Sequence, residues 1–206
     1  MVFMYTKKLK TSKSLNNFKA KMFKKFTTKQ LIFIALMGAL MFVLSFVLGS
    51  ALNVLINPSA SGFTSALIQP ILIVVALLIM KRFGVATMMY LIYGILAIPT
   101  NMVGGFPGPI KILIVFIMGI VPDIVAYIKK YEKWSILLGL VIMYIITIPL
   151  MIYLYIKLGI PGADKFLKAV PFLACIFFFE GVVGWYLGIK IYNKIKNKRF
   201  VKQISS

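Results

Sequence analysis

Two carboxylates stand inside long apolar runs, Asp123 in IMGIVPDIVAYI and Glu180 in CIFFFEGVVGWYL. An acid in such surroundings is costly to hold and by default marks a functional position. Two acids close together could share general acid and base work. Counting along their helices places them at different depths, with Asp123 in the inner third. Glu180 comes near the middle, about 16 Å below Ala169 at 1.5 Å per residue. A catalytic dyad is therefore not expected. Asp123 falls within reach of the level of Lys129 and of Lys81-Arg82, so a structural ion pair is expected there. Glu180 has no basic residue near it in sequence. It could be a neutral core acid, a hydrogen-bond partner of Tyr144 or Thr147, or a contact to a ligand.

Other chemistry is thin. The chain has no histidine and a single cysteine, Cys175, which excludes disulfide frameworks, Cys/His metal sites and the commonest general base. Gly104-Gly-Phe-Pro-Gly-Pro-Ile-Lys111 lacks the spacing of a phosphate loop, and neither H-E-x-x-H nor clustered aspartates occur. No metal, no cofactor and no enzyme activity are expected, and the chain cannot draw on ATP by itself. A polar set remains: Asn53, Asn57, Ser61, Thr64, Gln69, Asn101, Lys111, Thr147 and Tyr153. Uncharged hydrogen-bonding groups among aromatics suit a small polar or heterocyclic solute in a mostly apolar pocket. The binding set expected from this pattern is Asn57, Gln69, Asn101, Lys111, Tyr144, Thr147 and Glu180.

The elements that carry these residues are apolar helices. Of 206 residues, 61% are hydrophobic, against roughly 45–50% in a soluble domain. Six spans of about 20 residues would use nearly all of that supply. The fold expected is an all-α integral membrane protein with six transmembrane helices: Gln30–Leu52, Ser65–Met80, Val85–Ile98, Ile110–Ile128, Trp134–Ile156 and Ala169–Tyr192. The second and third are short and could instead form a re-entrant hairpin. The pair Lys81-Arg82 between them favours spanning, since it can snorkel from a turn at the membrane surface.

Residues 1–29 hold nine lysines and no acid. They read as a basic cytoplasmic arm, disordered or lying on anionic lipid through Phe18, Met22, Phe23 and Phe26. Residues 30–192 form the membrane domain, and 193–206 a basic cytoplasmic tail. The net charge is +20, yet nucleic acid is not implied, because the cations gather at the ends of apolar runs. With both termini inside, 20 of the 24 lysines and arginines fall on cytoplasmic segments, a strong positive-inside signal. The outer loops are longer and richer in Asn, Gly and Pro, which suggests that the outer face handles something. No internal repeat supports an inverted-repeat transporter.

Ala35 and Ala39 lie one turn apart on the first helix and make a flat strip. Such strips let helices approach closely in lipid, either inside the same protein or against a partner. Gly181, Gly184 and Gly188 make a similar strip on the last helix, where internal packing is expected.

The size, six helices, cytoplasmic ends, and Ala35-x-x-x-Ala39 after a basic arm resemble the substrate-binding S component of an energy-coupling factor (ECF) vitamin transporter. Lys81-Arg82-Phe-Gly84, Gly119-x-x-x-Asp123 and Gly181–Gly188 leading to Ile191-Tyr-Asn-Lys194 fit as well. The resemblance covers about residues 28–195. It implies a prokaryotic plasma-membrane protein that binds a vitamin-like solute on the outer side. It further implies that the Ala35 and Ala39 strip docks on an integral T component carried by two cytoplasmic ATPases. Two alternatives are a structural or assembly subunit and a membrane-embedded enzyme.

Overall fold

The computed structural model describes residues 25–55, 61–100, 102, 103, 105–159 and 163–205. They form α1 (Thr28–Leu55), α2 (Ser61–Met80), α3 (Val85–Ala97), α4 (Ile110–Ile128), α5 (Lys133–Lys157), α6 (Ala163–Ile195) and α7 (Arg199–Ser205). No strand occurs among the described residues. Four helices hold stretches long and apolar enough to cross a membrane: Thr28–Ala51, Ile110–Ile128, Lys133–Lys157 and Val170–Ile195. The apolar stretches of α2 and α3 are shorter, Ala66–Met80 and Val85–Ala97. An all-α protein of membrane character is thus what the chain forms.

The six longer helices close a ring in the order α1, α2, α6, α5, α4, α3. α2 is drawn inward, and its residues from Ile73 to Met80 are all buried. A helix that is apolar all round belongs inside, so α2 need not be long enough to face lipid over its whole length. The other helices turn apolar side chains outward instead, among them Leu36, Ile145, Phe172 and Phe179. Their exposure is expected of side chains whose solvent is hydrocarbon.

Glycine sits at most of the seams, because close backbone approach replaces the missing hydrophobic force between helices in lipid. A Cβ at Gly38 would stand 3.0 Å from the Met89 carbonyl oxygen of α3. One at Gly139 would stand 3.0 Å from Cα of Pro122 in α4, and one at Gly184 would stand 2.8 Å from Cβ of Pro70 in α2.

α1 opens on a capping box. Gln30 N donates to Thr27 Oγ1 at 3.4 Å, and Thr27 N donates to Gln30 Oε1 at 3.1 Å. The same Gln30 accepts from the Arg82 guanidinium and donates through Nε2 to the Ile204 carbonyl at 2.9 Å. The start of α1, the α2–α3 turn and α7 are therefore tied at one end. Phe83 against Tyr127 (ring centroids 5.9 Å) and Trp185 Nε1 bonded to the Lys133 carbonyl (2.8 Å) bring the remaining connections to that end. It carries 13 of the 17 described lysines and arginines, and we refer to it as the basic end.

Eight of the twelve expected helix ends differ by one to six residues, the two largest shifts being helix starts. α2 begins at Ser61 and α6 at Ala163, four and six residues early, since polar residues at a helix mouth do not prevent helix formation. The basic tail contains α7, whose Val201 and Ile204 are buried. Their i, i+3 spacing is the local signal for that helix.

Candidate functional site

Asp123 is a helix cap. The carboxylate accepts from Ala86 N at 3.2 Å, Thr87 N at 2.7 Å and Thr87 Oγ1 at 2.7 Å. These are the first amides of α3, which have no partner within their own helix. The residue before α3 is Gly84, at φ 94, with no side chain to offer, so the capping oxygen comes from α4. Gly119, one turn earlier, makes this possible: a Cβ there would stand 2.5 Å from Cα of Thr87. The spacing Gly119-x-x-x-Asp123 thus has a local purpose, approach and then cap. The expected ion pair with Lys129 or Lys81-Arg82 is replaced by this arrangement, because the amino end of α3 comes closer than those flexible side chains.

Lys111 plays the opposite part. Its ammonium is buried and donates to the carbonyls of Ala97 (2.9 Å), Ile98 (3.3 Å) and Thr100. An ammonium has three donors, and all three are spent on the carboxyl end of α3. Lys111 stands in the expected binding set, and its ammonium forms the second bracket of a short helix.

α3 has 13 residues and is about 20 Å long. Lys111 and Asp123 are 12 residues apart on α4, about 18 Å by the same rise. One helix therefore presents an anion to the positive end of its neighbour's dipole and a cation to the negative end. In an apolar setting this satisfies backbone groups that water would otherwise have to reach.

The other predicted residues converge elsewhere, where α2, α5 and α6 meet. Pro70 has no N–H, so the Ala66 carbonyl one turn earlier loses its helical partner. Tyr144 of α5 supplies the missing bond, its hydroxyl donating to Ala66 O at 3.1 Å. The Tyr144 ring stacks on Phe177 of α6 (centroids 5.8 Å, 9° between planes). It also fills the space over Gly181, where a Cβ would meet Cε2 at 3.1 Å. Tyr144 is thus the joint of three helices.

Around this joint stand Gln69, which is buried, and Thr147, which is only 2% exposed. Thr147 Oγ1 and Glu180 Oε2 are buried without a hydrogen-bond partner. Most buried polar groups in proteins are partnered, and two of the four such side-chain atoms among the described residues lie at this junction, the others being Ser45 Oγ and Tyr131 Oη. Asn57 and Asn101 lie outside the described residues. Of the expected binding set, Gln69, Tyr144, Thr147 and Glu180 share one region, and Lys111 does not belong to it.

Glu180 stands 17 residues from Ala163 and 15 from Ile195, at the middle of α6, whereas Asp123 is five residues from the basic end of α4. Their surroundings differ too: Asp123 caps α3, whereas Glu180 sits on the α2–α5–α6 seam.

α1 divides into two faces. Gly38 is buried against α3, while Ala35 is exposed and Ala39 half-buried beside the outward residues Leu36, Leu40 and Val43. The alanines are not consumed by packing within the chain in the way Gly38 is. Gly181, Gly184 and Gly188 are all turned inward, against Tyr144, Pro70 and Val74.

At the far end, the loop after α3 folds back on the bundle. Phe106 is 1% exposed and lies on Tyr155 of α5 (centroids 4.5 Å). Composition alone did not single out Phe106; its place among five Gly/Pro positions from 104 to 109 is the signal that could have, since such a loop bends sharply enough to insert a ring. No family model matches the chain, and no curated protein or solved structure matches it.

Proposed function

We propose that this chain is the substrate-binding subunit, an S component, of an ECF-type importer in a prokaryotic plasma membrane. In this reading all six longer helices cross the bilayer and the basic end, with both termini, faces the cytoplasm. A vitamin or related small polar molecule is captured from outside and held at the α2–α5–α6 junction. It is released inward with a T component and two ATPases, and no chemistry is done on it. The observation that carries the reading is the two-faced α1, glycine inward and small residues outward. Ala35 and Ala39 are left on the outer face, where small residues allow a partner helix to approach closely. The unpartnered oxygens of Glu180 and Thr147 support a ligand at the junction.

Purification under mild conditions tests the class directly. A T component and two ATPases should accompany the chain, and mass spectrometry of the purified protein should find a bound solute. Neither appearing would remove the proposal. Topology has its own test, motivated by the charge asymmetry. With Cys175 changed to Ser, Lys81→Cys should react only with a reagent applied from the cytoplasmic side. Reaction from outside would turn α2 and α3 into a re-entrant hairpin. For the docking face, Ala35→Trp with Ala39→Trp should leave solute binding intact and reduce uptake at least about tenfold, since close helix approach is blocked. Uptake equal to the parent's would show that coupling does not run through this face.

A further inference from the structure

Twelve lysines and arginines of the basic end are exposed among the described residues, against one exposed acid, Glu132. Large aromatic side chains stand at the same end and turn outward. Trp134 is 71% exposed, Tyr186 60% and Phe200 58%. Trp134 is held by its tilted contact with Trp185, whose ring nitrogen is fixed to the Lys133 carbonyl. On the opposite side of the ring, α7 is held by Val201 and Ile204 on its inner face and by the Gln30 bond to Ile204. Arg199, Phe200 and Lys202 are left outward, with Phe200 edge-on to Phe33 at 6.2 Å.

Cations beside outward aromatics, at the ends of apolar helices, match the chemistry of a membrane interface. The rings suit the boundary between chains and headgroups, and each cation near an anionic leaflet is worth about 1 kcal/mol. We propose that the basic end is a binding surface for anionic phospholipid headgroups, with α7 as its interfacial element. An acidic protein partner would match the charge but would give no reason for aromatic residues directed at the hydrocarbon boundary. The inference rests on membrane character and charge alone and holds whichever solute is carried.

The test uses the full chain in nanodiscs of phosphatidylcholine, alone or with about a third phosphatidylglycerol. The anionic lipid should raise the thermal midpoint by about 5 °C. Two variants, Arg199→Gln with Lys202→Gln, and Lys129→Gln with Lys130→Gln and Lys133→Gln, should keep the phosphatidylcholine midpoint and each lose a measurable part of the rise. Independently of any variant, native mass spectrometry of the parent should retain phosphatidylglycerol in preference to phosphatidylcholine. Equal midpoints in the two lipids, or no preference in the retained lipid, would overturn the proposal and leave the surface to an acidic protein. The same rise on adding inorganic phosphate to phosphatidylcholine discs would also overturn it, as a free-anion site. A full rise in both variants would do so as well.

Discussion

Asp123→Ala will destabilise the folded protein by about 3 kcal/mol, the sum of a lost helix cap and buried donors left unpaired. Three bonds go at once, from Ala86 N, Thr87 N and Thr87 Oγ1, and Asp123 and Ala86 are both buried. Asp123→Asn keeps an acceptor oxygen in the same place and should cost only about 1 kcal/mol. Thermal unfolding in detergent reads both. The comparison separates two roles: a cap needs an acceptor, whereas an ion pair needs a charge. If Asn proves as damaging as Ala, the charge matters more than the acceptor and the capping account fails. Lys111→Met, at the other end of α3, should destabilise similarly, since three carbonyls lose their donor. Neither change should alter solute affinity in the protein that remains folded.

Glu180→Gln should show the reverse pattern. The substitution keeps shape and an acceptor and removes the charge. With Glu180 as a ligand contact, affinity for the co-purifying solute should fall by about 1.5–3 kcal/mol, the scale of a hydrogen bond to a charged group. That is roughly a 10- to 150-fold loss, with the thermal midpoint nearly unchanged. Tyr144 makes the result interpretable. It already donates to Ala66 O, so the joint of α2, α5 and α6 does not need Glu180 to hold together. A fall in stability with affinity preserved would assign Glu180 to the scaffold and take it out of the binding set.

How much of this was legible beforehand depends on the range of the interaction. Membrane character, helical class and the identity of the basic end follow from the sequence by itself. Apolar burial is a sum over a segment, and charges at segment ends act locally, so neither needs to know its neighbours. The α4 bounds Ile110–Ile128 agree with the expected ones for the same reason. The roles of the charged and polar residues were decided only by the tertiary structure. Asp123 meets Ala86 across 37 residues of sequence, and Tyr144 meets Ala66 across 78. Which donor or acceptor arrives first at a free helix end depends on how two helices cross, and no spacing within one helix records that. Pro70 announces a carbonyl without a partner but not the tyrosine that answers it, and Gly119 announces a close approach but not the helix that makes it. A hydrogen bond is short and directional, so its partners are set by packing, whereas the hydrophobic term that builds the helices is neither.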